Sequence, residues 1–384
     1  MSKQNNQNGK PWRVLLVQKF ASLGGSQKSL SYHLELLDRS RFEPHVIVSN
    51  RGWLTQKLDE MGVPWSLASF GHWTNLASLP RNVLLISKLK RCIRQHDIRL
   101  IHANEHWVGP PCYWAARQAG VPVICHFRTG LEDLTPGRIR KYLYGRFDRV
   151  IVVAEVLRRA LAKEVSDPDK ILVVRDGVEP FPGEPRYWEK RRARIVINVG
   201  AIYEVKGQAK ILECALPWLK EDRRHFLLFI GGTRQNPDYV QNMKRIVVDH
   251  GLQKQVLFLG SREDVPRLLR AADALVAYST VEGIPRVVME AMFAGRPVIV
   301  SNTPGMDEVV SDGQTGRIVN FDDTANPFLQ ALREMTANFS RWEMMGRQAR
   351  ERALNRYSVQ AMSDAIQAVY GELLERKNYV KKQK

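Results

Sequence analysis

Two acids, Glu282 and Glu290, stand in the run VEGIPRVVMEAMFAGRPVIVSNTPGMDEV. The first follows an apolar strand-like segment, DALVAYST, and opens a loop. The second falls a turn or more inside a helical pattern, VVMEAMFAG, which Gly295 and Pro297 stop. The helix N-terminus then lies near the strand's carboxyl end. The backbone through Gly283, Ile284, Pro285, Arg286 and Val287 can cradle a phosphate, using its N–H groups and the positive helix end. Glu290, about a turn beyond, is placed to grip ribose hydroxyls. On residue types alone, two surface acids on a helix is the plainer reading.

The N-terminal half holds a second set of candidates. Gly24 and Gly25 follow an apolar run and precede a helix beginning near Ser26, so backbone can approach a ligand closely there. The phrase is not GxGxxG, and no P-loop motif is present. His126 ends the run VPVIC, and Arg128 points to the same side of an extended chain, where it can meet a phosphate or an acceptor. His102, Asn104, Glu105 and His106 end another such run. An isolated histidine in a strand is also an ordinary hydrogen-bonded core residue, so that reading stays open for His126. Asp167-Pro168-Asp169 has the form of a metal-binding DxD but lies in a loop and reads as a turn. No His/Cys/Asp cluster has metal-ligand spacing, and metal-independent chemistry is expected. The four cysteines, Cys92, Cys112, Cys125 and Cys214, lie far apart without CxxC, which argues against a zinc ribbon or a disulfide scaffold.

The elements that must position these residues repeat. RVLLV (13–17), HVIVS (45–49), RLIHA (99–103), VPVIC (121–125), RVIVV (149–153) and ILVV (171–174) are short, uniformly apolar runs, each followed by room for a crossover helix. This is the pattern of a parallel, doubly wound sheet. PFPGEPRYWEKRRA (180–193) interrupts it as a linker does, and the alternation restarts with RIVINVG, HFLLFIGG, VLFLG, DALVAY and PVIVS. Two such sheets bind ligands at the carboxyl ends of their strands, so function is expected in a cleft between them. The expected domains are residues 1–179, a linker 180–193 and residues 194–357, with a last helix within 358–384 packing back on the first domain.

The chain has 384 residues and a formal net charge of +18, so its partners are expected to be anionic. With 44% hydrophobic residues it can bury a sizeable core, and no apolar run approaches the ~18 residues of a membrane span. The opening residues, MSKQNNQNGKPW, lack the apolar stretch of a signal peptide, so a cytoplasmic setting is expected. No recognised nucleic-acid-binding module accompanies the charge, and nucleic acid is not an expected partner. The segment ASLPRNVLLISKLKRCIRQH (77–96) pairs an apolar face of Leu79, Val83, Ile86, Leu89, Cys92 and Ile93 with Lys88, Lys90, Arg91 and Arg94. With the basic stretch GRIRKYLYGR (137–146) it forms either a peripheral membrane surface or a pair of ordinary crossover helices.

The run EGIPRVVMEA, with FLGSREDVPRLLRAADALVAYST before it and GRPVIVSNTPGMDEVV and DGQTGRIV after it, resembles the retaining, nucleotide-sugar-dependent glycosyltransferases of family 4. GGSQKSL, IHANEHW, VICHFR, FDRVIVVAEVLRR and RDGVE extend the resemblance over nearly the whole chain. It implies an α/β GT-B fold, two Rossmann-like doubly wound domains facing across a cleft. It also implies that Glu282 faces the donor sugar, that Glu290 binds the nucleotide ribose, and that Gly24, Gly25 and the loop after Glu282 lie near the phosphates. Lys206 takes the family's Lys position and would neutralise the leaving diphosphate. His126 falls close to the donor sugar. One departure is Ala201, where the family usually has Arg; Arg286 or Arg262 are the candidates to replace it.

The expected function is a retaining transferase moving a sugar from a nucleotide diphosphate to a hydroxyl of a glycan or lipid-linked acceptor, in cell-surface polysaccharide or glycolipid synthesis. No cofactor is expected beyond the nucleotide sugar. A soluble acceptor, or a sugar-nucleotide-binding protein without transferase activity, are the alternatives.

Overall fold

The computed structural model describes residues 10–179, 192–232, 237–279, 285–321 and 326–382. The chain divides into two compact units, one of residues 1–177 with 359–384 and one of residues 178–358.

In the first unit seven parallel strands form one sheet: β1 (Trp12–Val17), β2 (Phe42–Val48), β3 (Trp65–Leu67), β4 (Leu100–Ala103), β5 (Val123–Phe127), β6 (Arg149–Val152) and β7 (Ile171–Val173). Their order is β3-β2-β1-β4-β5-β6-β7, so the winding reverses between β1 and β4. Strands buried on both faces need continuous apolar runs, which is why VLLV and VICHF carry almost no polar residues. Two pairing registers, Val17 with Ala103 and Ala103 with Cys125, bring the carboxyl ends of β1 and β4 level and let β5 run on through His126 and Phe127.

The last helix, Val359–Lys382, belongs to this unit. Met362, Ile366, Val369, Tyr370, Leu373 and Leu374 join the core formed by β1, β2 and the helix Gly25–Glu35. Polar contacts fix its register: the Tyr370 hydroxyl and His102 Nδ1 are 2.6 Å apart, Ser363 Oγ lies 3.0 Å from His33 Nδ1, and Glu372 pairs with Arg149.

The second unit has six parallel strands, β8 (Arg194–Val199), β9 (His225–Ile230), β10 (Val256–Phe258), β11 (Ala274–Ala277), β12 (Val298–Ser301) and β13 (Gly316–Val319). Their order, β10-β9-β8-β11-β12-β13, reverses between β8 and β11. One face is packed around Trp218, Phe229, Phe328 and Trp342, the other around Leu275, Met289, Met292, Phe293 and Tyr357.

Two strands escaped the sequence pattern. β3 is three residues at one sheet edge, and β13 opens on a glycine and carries Arg317, so neither offers an apolar run long enough to register. The segment 77–96 needs a correction. Its helix, Leu79–Gln95, buries Asn82, Leu85, Leu89, Cys92 and Ile93, while Leu79 and Val83 lie on the outside. Together with Leu76 (88% exposed) and Leu84 (67% exposed) they leave the first half of this helix apolar toward solvent. Among the described residues no helix is long and apolar enough to cross a membrane. The expected linker falls largely outside the described residues.

Candidate active site

In a doubly wound sheet the strand ends part where the winding reverses, and ligands enter there. In the second unit that point lies between the ends of β8 and β11. The end of β8 is crowded by backbone: a Cβ on Gly231 would lie 1.8 Å from the Gly200 carbonyl oxygen, so the loop after β9 can close on the loop after β8 only with glycine there. The chain then makes the short turn Glu204–Lys206 and enters the helix Gln208–Glu221 through Gly207, whose φ is +54°. A Cβ on Gly207 would meet the Tyr278 ring at 2.0 Å. Ser279 Oγ donates to the Val205 carbonyl at 3.5 Å, and the Ser279 carbonyl in turn accepts from Thr303 Oγ1 at 2.6 Å. The Lys206 turn is thereby held against the end of β11, where the chain departs toward Glu282.

Glu282, Gly283 and Ile284 lie outside the described residues. Pro285 caps the helix Arg286–Phe293, which forms because Val288, Met289, Ala291, Met292 and Phe293 are all buried. Arg286, Val287 and Glu290 are the half-buried positions, so Arg286 and Glu290, four apart, share the outer face. Ala201 is exposed, and its carbonyl accepts from Gln208 Nε2 at 3.0 Å. Arg262 is held by both oxygens of Asp264, at 2.8 and 2.9 Å, while Arg286 opens the helix.

The first unit's reversal point gathers its candidates into one hydrogen-bonded group. Asn104 Nδ2 donates to Gln18 Oε1 at 2.6 Å, joining the ends of β1 and β4. Gly24 caps the helix Gly25–Glu35, and Ser26 Oγ, in its first turn, donates to Glu105 at 2.7 Å. Arg128 donates to the Asn104 carbonyl at 3.3 Å and to Asn104 Oδ1 at 3.2 Å, and pairs closely with Asp176. Asp176 also accepts from Ser29 Oγ at 3.0 Å. Sequence reasoning singled out Asn104, Glu105 and Arg128 but not Gln18, Ser26, Ser29 or Asp176; the signal for the last three lay only in the segments GGSQKSL and RDGVE as wholes, and Gln18 carried none.

His126 sits inside β5 rather than at its end, and its side chain is fully buried. Arg128 Nη2 lies 3.1 Å from His126 Nδ1, so Nδ1 accepts and the ring is neutral, with its proton on Nε2. His102 stacks on it with ring centroids 5.5 Å apart. Burial first, then the Arg128 guanidinium, holds His126 well below the ordinary histidine range; burial, His33 and Arg128 do the same to His102. Asp167 to Asp169 form a turn with Lys170 paired to Asp167 at 3.5 Å, as a loop reading expects.

The matches to known proteins span both units. Residues 23–180 match the family described as Glycosyltransferase Family 4, and residues 186–352 match Glycosyl transferases group 1. The chain is 25% identical to the Escherichia coli UDP-Gal:alpha-D-GlcNAc-diphosphoundecaprenol alpha-1,3-galactosyltransferase over 393 aligned positions, 95% of this chain and 98% of that protein. It is 28% identical to the D-inositol 3-phosphate glycosyltransferase of Corynebacterium efficiens over 71% of each. Among solved structures, Anabaena HepE in complex with UDP superposes with a TM-score of 0.79 at 20% identity, covering 94% of this chain and all of that one. Matched by these families in both halves and sharing the two-sheet architecture, the chain belongs to the family 4 glycosyltransferases and has the GT-B fold.

Proposed function

We propose that the chain transfers a hexose or N-acetylhexosamine from a nucleoside diphosphate sugar to a hydroxyl of a lipid-linked glycan. In this reading anomeric configuration is retained, no metal ion takes part in the transfer, and the product feeds a cell-surface polysaccharide or glycolipid made at the cytoplasmic face of a membrane. The observation that carries it is the clustering of the Lys206 turn against the end of β11, just before the helix bearing Arg286 and Glu290. A diphosphate there meets a helix N-terminus, a lysine and a carboxylate spaced for ribose. The E. coli relative, named for a UDP-sugar and a diphosphoundecaprenol-linked acceptor, supports the substrate classes.

The chemistry follows from charge. As the bond from the anomeric carbon to the diphosphate oxygen breaks, Lys206 and the helix end stabilise the departing negative charge. The acceptor hydroxyl forms its bond on the face the diphosphate leaves, and its proton passes to the leaving phosphate oxygen. Glu282 faces the sugar and Glu290 the ribose. Arg286, at the N-terminus of the helix that bears Glu290, takes the part of the arginine that Ala201 replaces. In the first unit, neutral His126 acts by holding Arg128, and Arg128 with Asn104 and Glu105 faces the acceptor.

A lipid-borne acceptor fits the outward apolar half of the helix Leu79–Gln95, with exposed Arg81, Lys88 and Arg91 along it. Trp73 Nε1 donates to the Lys141 carbonyl at 3.0 Å, which ties the loop before this helix to the basic stretch 137–146. Incubation with a panel of nucleotide sugars, and with lipid-linked and soluble acceptors, tests the reading. Nucleoside diphosphate release that needs a lipid-linked acceptor, with an α-configured product from an α-linked donor, is expected. Thermal stabilisation by a donor without turnover on any acceptor would favour a binding protein. Sedimentation with anionic but not neutral vesicles, fading with salt, is expected of the membrane surface.

A further inference from the structure

The sequence offers no metal motif, yet the fold of the first unit assembles one from separate elements. Cys92 and His96 are four apart at the end of the helix Leu79–Gln95. The His96 N–H donates to the Cys92 carbonyl at 3.0 Å, so the helical turn persists through His96 and both side chains share one face. That face lies over β2, where His45 projects toward it. The rings of His45 and His96 are stacked with centroids 4.8 Å apart. One ligand atom from each of His45, Cys92 and His96 lies within 4.8 Å of the others, a grouping found nowhere else among the described residues.

We propose that His45, Cys92 and His96 bind a first-row transition-metal ion, Zn2+ in the simplest case, which staples the carboxyl end of the helix Leu79–Gln95 to β2. Two imidazoles and a thiolate suit this class of ion and not Ca2+ or Mg2+, which take oxygen ligands. A tetrahedral Zn2+ sits about 2.0–2.3 Å from each such ligand, so side-chain rotation toward a common centre closes the site. Cys92 is buried and gives its thiol proton to solvent as the sulfur–metal bond forms. Exposed His96 provides the entry path, and the fourth position is left to water. Ser66 Oγ, 3.4 Å from His45 Nε2, stands as an outer partner for that ring. Arg13 donates to the His96 carbonyl at 3.2 Å, but its charge is matched by Glu43 at 2.9 Å.

The cluster precedes the start of β4, toward the amino ends of the parallel strands and opposite the candidate active site. Its role is therefore structural. The bound ion anchors the far end of the helix whose near end is apolar toward solvent, and this does not depend on the transferase reading.

Titration of the metal-free full-length protein with Co2+, followed by competition with Zn2+, tests the proposal. One equivalent of Co2+ should give tetrahedral d–d bands and a thiolate-to-metal charge-transfer band, and Zn2+ should displace it and raise Tm. Cys92→Ser should abolish the charge-transfer band. His96→Ala, a change at an exposed position that leaves the core intact, should weaken Zn2+ binding at least about 10-fold, the scale that even an outer-sphere change produces. Failure to bind Co2+, a spectrum without the thiolate band, or Zn2+ affinity unchanged in both variants overturns it.

Discussion

The two units share a winding pattern but build their reversal points from different materials. In the second unit the wall is largely backbone: Gly200 against Gly231, Gly207 under Tyr278, and a helix N-terminus at Arg286, with Lys206 and Glu290 added to it. In the first unit it is mostly side chain on side chain, from Glu105 through Ser26, whose carbonyl accepts from Asn104, and on through Arg128 to Asp176 and Ser29, with buried His33, His102 and His126 behind. Backbone N–H groups can hold the part of a ligand that never varies, a diphosphate, because they do not depend on side-chain identity. A side-chain network can be retuned residue by residue, which suits an acceptor. The second unit should therefore lose function before stability when its side chains are removed, and the first unit the reverse.

Acid gives the largest expected separation. His33 is held down to about 3 by burial, Arg128 and Arg39, and His102 and His126 are also held well below the ordinary value. The unfolded chain takes up these protons near pH 6.5, while the native chain does not. Below about pH 6.5 the unfolded state thus binds more protons, and stability falls as pH falls, down to about pH 3 for His33. Neutral His33 contributes a loss of about 1 kcal/mol per pH unit across that window, and His102 and His126 act in the same direction. Chemical denaturation from pH 7 to pH 5 should show this steep loss, lessened by His33→Gln if that variant folds. A flat profile would mean that the cluster is not buried neutral.

Next comes Arg128→Met, which leaves the half-buried Asp176 without its cation. It should cost about 3–5 kcal/mol of stability, the scale for breaking one side of a buried pair, read by urea denaturation. Lys206→Ala reverses the pattern: turnover should fall about 10²-fold or more with Tm nearly unchanged, since one preorganised donor to developing charge is lost. Wild-type turnover would remove Lys206 from the site. Ala201→Arg sharpens the same point, because it should add little if Arg286 already fills that place.

Much of this arrangement was legible in the sequence, for stated physical reasons. Parallel strands buried on both faces must be apolar throughout, so eleven of them stand out as short runs, and Gly295 and Pro297 mark where the helix bearing Glu290 stops. What stayed hidden depends on contacts between distant segments. Nothing local in Asp176 or Ser29 announces Arg128, and nothing in Cys92 or His96 announces His45. Leu79 and Val83 misled because their spacing fits an apolar stripe, while the helix rolls so that Asn82 and Leu85 face inward instead.

The division of labour between the units is tested most directly by calorimetry with the nucleoside diphosphate of whichever donor is turned over. Glu290→Ala should weaken its binding by about 1.5–3 kcal/mol, as expected for a lost charged hydrogen bond to ribose. Glu282→Ala should leave that affinity nearly intact while lowering turnover, because in the proposed reading its partner is the sugar, which the diphosphate lacks. Glu105→Ala, in the first unit, should leave the diphosphate affinity unchanged. Normal diphosphate binding by Glu290→Ala together with weakened binding by Glu105→Ala would contradict the assignment of the nucleotide to the second unit.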